Sequence, residues 1–140
     1  MNTTESAIEA AGYGMFARLL GASQLGGLLQ GDEVYTIFAP ADAAFDKFPG
    51  GSIDALMKNA DLTRAVAAYH LALGKVMAKR FAGVRIRANT VGGQSLIIDG
   101  KKELRVNGAN LVQPDVMIGT SVLHGIDGVL WPREPAAVAR

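Results

Sequence analysis

Two histidines, His70 and His124, are the only imidazoles in a chain of 140 residues that contains no cysteine. Thiolate nucleophiles, disulfides, iron–sulfur clusters and thiolate zinc sites are thereby removed, and few ways remain to build a histidine metal site. No metal and no cofactor is expected. What is left is proton transfer, with the two rings joined by Asp42, Asp115 or Asp127. The surroundings of each ring argue for a plainer role. Leu62, Ala65, Val66, Tyr69, His70 and Leu73 fall on one helical stripe, where a histidine is more often a hydrogen-bonded core residue than a base. His124 alternates with Val122 and Ile126 and faces inward with them. There is no P-loop, dinucleotide-binding glycine signature, HExxH or nucleophile elbow. The expected class is a non-catalytic protein, with an enzyme around His70 and His124 as the remote alternative.

Charge supplies a second candidate. Residues 1–74 hold four Lys/Arg and eight Asp/Glu, whereas residues 75–105 hold eight Lys/Arg against Asp99 and Glu103, for a net +1 over the whole chain. Arg85 and Arg87 share one face of a strand. With Lys101, Lys102 and Arg105 they form a candidate polyanion-binding surface, set against the plainer reading of solvated strand faces. Phe81 is the only aromatic in this segment, so nucleic acid is not an expected partner.

The elements that position these residues divide in two. The first half reads as helices: one from Thr3 or Thr4 that Gly12 stops, one carrying Met15, Phe16, Leu19 and Leu20 that Gly21 ends, and a short turn at 25–29. Residues 34–38 read as a buried strand. Short helices follow at 42–48 and from Ser52 to Met57. The clearest helix runs over 61–73, capped by Asp61 and closed by Gly74. The second half reads as strands at 84–88, 96–98, 104–106, 109–112, 116–118, 122–126 and 129–131. Tight turns are expected at Asp99-Gly100 and Asn107-Gly108. Helices first and strands later predict an α+β domain spanning residues 1–140, with its core at about 4–132 and a loose tail at 133–140.

No apolar run approaches the ~20 residues of a membrane span, so membrane insertion is not expected. The first basic residue is Arg18, and Glu5 and Glu9 interrupt the early apolar run, so no signal peptide is visible. The expectation is a cytoplasmic chain or a mature form that has lost its leader.

Three segments, YTIFAPADAAFDKF at 35–48, Tyr69-His70 within AVAAYHLALGK, and TSVLHGIDGVLWP at 120–132, resemble in order and spacing the signatures of a fasciclin domain. NTVGGQSLII and LRVNGANLVQPDVM resemble the strand region between the second and third. The resemblance implies a compact α+β wedge, a β-sandwich-like strand core with several short helices along one side. It implies an extracytoplasmic, secreted or surface-attached adhesion module that binds a cell-surface or matrix protein or glycan, as a monomer, without cofactor or reaction. The family's partner-binding stretch corresponds to Gln113, Pro114, Asp115, Val116 and Met117, with Gln113 replacing an acid. Its second such segment corresponds to Tyr69 and His70. Pro114 presets a turn that holds Asp115 outward, or Asp115 turns inward to accept backbone N–H bonds. Since strand residues alternate, only one of Val116 and Met117 is expected to face solvent. Three departures bear on packing. Ala41 removes a hydroxyl cap that Asp42 is expected to replace, Thr120-Ser121 stands for Asn-Gly, and Gly125 stands for an apolar residue. Acidic-polysaccharide binding through the basic face is the alternative function.

Overall fold

The computed structural model describes residues 3–46 and 53–132. Helices α1 (Thr3–Ala10), α2 (Gly14–Ser23), α3 (Ile53–Met57) and α4 (Ala60–Tyr69) come first, with strand β1 (Tyr35–Pro40) between α2 and α3. Strands β2 (Leu71–Leu73), β3 (Arg85–Asn89), β4 (Ser95–Asp99), β5 (Arg105–Val106), β6 (Ala109–Ile118) and β7 (Ser121–Ile126) follow. The strands form one sheet in the order β2-β1-β7-β6-β5-β4-β3, in which β1 and β7 run parallel and the other pairs antiparallel.

Every residue of β1 and of β7 is buried, because both faces of these strands are covered. Tyr35, Ile37, Ala39 and Leu123 pack with Phe16, Leu19, Leu20 and Val66 of the helices. Phe38 and Ile126 face the other way, onto Leu96, Ile98 and Val106 of β4 and β5. The sheet therefore folds over on itself, helices outside one half and strands inside the curl, which is the α+β, sandwich-like arrangement expected. The curl brings the two edge strands together at one point: Ala72 of β2 bridges Thr90, and the Val91 amide donates to the Leu71 carbonyl at 2.9 Å.

Several local expectations change. α4 starts one residue before Asp61 and is capped by Asn59, whose Oδ1 accepts from the Leu62 amide at 3.1 Å. It stops at Tyr69, and Leu71–Leu73 leaves the helical stripe to pair with β1, a tertiary pairing that outweighs helical periodicity. α2 runs through Gly21. That glycine serves packing instead of termination, since a Cβ there would lie 3.2 Å from Glu5 Oε1. Asn107-Gly108, with φ of 49° and 90°, makes the expected two-residue turn between β5 and β6. Asp99-Gly100 does not, because Arg105 pairs with Asp99 and residues 100–104 all lie in the connection. Gly100 is needed for close approach, as a Cβ would sit 1.9 Å from the Phe81 carbonyl oxygen. The strands at 109–112 and 116–118 are one strand, β6, and residues 129–131 join no strand. The expected helical residues Phe48 and Ser52 and the tail at 133–140 lie outside the described residues.

Candidate functional site

Antiparallel pairing between β6 and β7 slips twice. Leu111 faces Ile126 and Gln113 faces Gly125, which inserts one extra residue into β6. Val116 then faces Leu123, which inserts a second. The second bulge holds Pro114 and Asp115. Asp115 adopts φ 60°, a left-handed conformation that aspartate tolerates better than most residues. The bulge turns residues 112–115 toward solvent together, where a regular strand would alternate. Val112 and Met117, 56% and 46% exposed, flank it as exposed apolar side chains. Val116 is half-buried against the helical core, so of this pair Met117 faces out, as alternation predicts.

The bulge is held from beneath. The Asp115 amide donates to His124 Nδ1 at 3.0 Å, and His124 Nε2–H donates to the Val76 carbonyl at 2.8 Å. Asp115 Oδ1 accepts from the Ala78 amide at 2.8 Å. A closed ring of contacts thus ties β6 and β7 to the 76–78 segment. Asp115 meets both sequence expectations in part: one carboxylate oxygen is turned onto backbone, yet the side chain remains 38% exposed. Because His124 Nδ1 accepts a hydrogen bond, its 3.8 Å approach to Asp115 is a contact of a neutral ring and not an ion pair. Burial lowers the His124 pKa against the opposing pull of the Val76 carbonyl and the Asp115 charge.

His70 is the second such bridge. Nδ1–H donates to the Val66 carbonyl at 2.7 Å, and Nε2 accepts from the Leu130 amide at 2.9 Å, which ties α4 to the segment after β7. Burial pushes its pKa down to about 4, outweighing the carbonyl bond that favours the charged form. Both rings are fully buried with both nitrogens engaged, so neither offers a substrate a free nitrogen. They also belong to different neighbourhoods, His70 against Phe16 and His124 against Phe38 and Phe81. Asp42 and Asp127 are engaged elsewhere: Asp127 accepts from Asn110, and Asp42 Oδ1 accepts from the Met15 amide at 2.9 Å. Asp42 therefore caps α2 across the fold. Tyr13, which precedes that helix, supplies no side-chain cap.

Tyr69 and His70, candidates for partner contact, lie in the core as their helical stripe predicts. The Tyr69 hydroxyl donates to the Ser95 carbonyl at 2.9 Å and accepts from Asn107 Nδ2 at 2.8 Å, joining α4 to the β4–β5 region. A partner reaches neither side chain without opening the core.

The departure at Gly125 has a defined cause. Its missing side chain leaves room for Tyr13: a Cβ there would lie 1.9 Å from the tyrosine oxygen. The Tyr13 hydroxyl passes over Gly125 to donate to Gln113 Oε1 on the adjacent strand, and burial raises its pKa. The β6–β7 turn likewise needs no Asn-Gly, since Gly119 takes the positive φ of 61° just before Thr120. Ser121 is then free to accept the Tyr35 amide on its Oγ at 3.0 Å. Tyr13 was not legible as a site residue, because nothing in its local pattern signals a partner 100 positions away.

Arg85 and Arg87 share the outer face of β3, and Lys101, Lys102 and Arg105 are also exposed. The face is not purely basic. Asp99 stands between Arg85 and Arg105 in the sheet register, and Glu103 pairs with Arg105 at 3.2 Å. Among the described residues, no group of three or more His, Asp or Glu gathers as a metal site, and no helix is long and apolar enough to cross a membrane.

The family model for the fasciclin domain matches residues 11–132. The chain belongs to the fasciclin family. This fasciclin chain is 38% identical over 105 residues to the cell surface glycolipoprotein MPB83 of Mycobacterium bovis, covering 74% of itself and 46% of that protein. It is 34% identical over 99 residues to the immunogenic protein MPB70 of the same species, covering 70% and 50%. It thus spans about half the length of these mycobacterial relatives. An uncharacterized protein of Synechocystis aligns at 28% identity over 129 residues, 92% of this chain and 96% of the relative. Among solved structures, the domain pair of the insect cell adhesion molecule fasciclin I superposes with a TM-score of 0.63 at 18% identity, over 87% of this chain and 46% of that one. That likeness shows the fold.

Proposed function

We propose that this fasciclin chain is a non-catalytic, monomeric binding module displayed outside the cytoplasm, which holds a cell-surface or matrix protein or glycan on the bulged ridge of β6. The ridge comprises Val112, Gln113, Pro114, Asp115 and Met117. One observation carries the reading: the bulge presents two exposed apolar side chains around an anchored carboxylate, and the anchoring is done by buried groups. Exposed large apolar residues beside a pre-ordered polar group are what a partner surface needs, since little ordering remains to oppose binding. The surface location in the name of the relative MPB83 supports display outside the cell.

Asp115→Asn is the informative variant. Asparagine keeps the oxygen that accepts from Ala78 and tolerates the left-handed backbone, so the fold is expected to persist while the charge is lost. Combined with Met117→Ser, it should reduce attachment of cells to the immobilised protein, or signal on a glycan array, by tenfold or more, on the order of 1.4 kcal/mol. Undiminished binding by a folded double variant would overturn the assignment. Acidic-polysaccharide binding through Arg85 and Arg87 has one point in its favour, that Arg87 faces Ile97 with no acid in register. Binding of that kind falls steeply with added salt.

A further inference from the structure

From the point where Ala72 bridges Thr90, the β2 and β3 edges diverge and leave a small opening into the strand core. The cavity behind it measures about 80 Å³. Its floor is Phe38, Phe81 and Ile98, all fully buried, and Leu73, 54% exposed, stands at its mouth. Ile86 and Ala88 of β3 complete the apolar wall. Two polar side chains line it. One is Thr36, whose hydroxyl is fully engaged, donating to the Gly74 carbonyl at 2.7 Å and accepting from the Val76 amide at 2.9 Å. The other is Arg80, exposed and, among the described residues, within ion-pairing distance of no carboxylate. The chain from residue 62 to residue 98 holds no Asp or Glu at all but carries Arg64, Lys75, Lys79, Arg80, Arg85 and Arg87.

We propose that this cavity is a binding site for a fatty carboxylate, with the hydrocarbon chain inside the curl of the sheet and the carboxylate on Arg80. An apolar void that opens to solvent forgoes the dispersion contacts that fill a core, and a hydrocarbon tail restores them. A sugar does not fit these walls, since its hydroxyls would be buried without partners. The guanidinium fork, within ion-pairing distance of no carboxylate among the described residues, selects an anionic head with two oxygens. By proportion with a 150 Å³ cavity that admits the six carbons of benzene, the space takes roughly three to four carbons.

The test uses the delipidated protein and a series of butyrate, hexanoate, octanoate and decanoate, followed by the NMR shifts of Phe81, Ile86 and Ile98. Affinity should rise about fourfold per methylene while the chain is entering the cavity, hence by about fourfold beyond butyrate, whose tail already holds three carbons. It should then flatten once further carbons remain in solvent. Hexanoate should exceed 1-hexanol in the parent protein, and Arg80→Gln should erase that preference while leaving hexanol binding intact. Ala88→Leu, which fills the space, should abolish both. The acid-to-alcohol comparison in the parent keeps the test decisive even if Ala88→Leu fails to fold. Absence of shifts at these three residues, equal binding of acid and alcohol, or an unaltered preference in Arg80→Gln would each overturn the proposal. So would perturbation by phosphatidylglycerol vesicles with none by octanoate, which would make the surface a membrane contact.

Discussion

Acid should loosen this protein well above the pH at which carboxylates are protonated, and His70 sets the size of the effect. In the folded state its ring is neutral, donating to Val66 and accepting from Leu130, with its pKa held down at about 4. In the unfolded chain the ring returns to the ordinary value of about 6.5. Between those limits the unfolded state binds one proton that the native state does not. Stability then rises with pH by about 1.4 kcal/mol per unit, is fully present above pH 6.5, and falls as the pH drops toward 4. Over 2.5 units the loss is on the order of 3 kcal/mol, a large part of the ~5–15 kcal/mol that holds a domain together. Below about 4 the native ring is protonated as well and its contribution to the slope ends. His124, lowered in the same direction, adds to the loss in the upper part of the window. The assay is urea unfolding at half-unit steps from pH 7.5 to 4.5. The diagnostic range is pH 6.5–5.5, where ordinary carboxylates hardly titrate. A slope of one to two protons is expected there in the parent, and about one proton less in His70→Ala, a variant that should also be less stable at neutral pH. A stability that is flat across this range, or a His70 ring that titrates near 6.5 in the folded protein by NMR, would refute the reasoning.

Two further perturbations probe the packing around the ridge. Gly125→Ala forces a Cβ to within 1.9 Å of the Tyr13 oxygen, and an overpacking loss of about 1–3 kcal/mol is expected in chemical denaturation, largely relieved in the double variant with Tyr13→Ala. Asp42→Ala should lower stability by about 1 kcal/mol through the lost cap on α2, while Asp42→Asn, which retains an acceptor for the Met15 amide, should lose much less.

The parts of the fold that local chemistry dictates were legible in the residues. Asn107-Gly108 makes its two-residue turn because both positions tolerate positive φ, and Phe16, Leu19 and Leu20 bury one face of α2 because helical spacing puts them together. What local pattern cannot encode is where a residue's partner lies in space. Asp99-Gly100 has the composition of a turn, yet Gly100 exists for contact with Phe81. Leu73 fits a helical stripe, yet β1 recruits it, together with Leu71, as a strand. The candidate ridge shows the same division. Pro114 and Asp115 marked themselves as a turn, and their exposure follows from that. The two-residue slip against β7 and the support from His124 and Ala78 depend on strand register, which a single sequence does not display.

The position of β7 in the sheet also bears on how the chain is made. β7 lies between β1 and β6, so a strand formed near residue 35 must wait for residues 121–126 before its second edge is filled. During synthesis the helical half leaves the ribosome with β1 bare along the edge that β7 later takes, and unpaired apolar edges are the common route to aggregation. Long-range parallel pairing of this kind closes slowly. The sheet therefore becomes complete only once residues 121–126 have been synthesised, and chains truncated before residue 121 are expected to depend on chaperones for solubility.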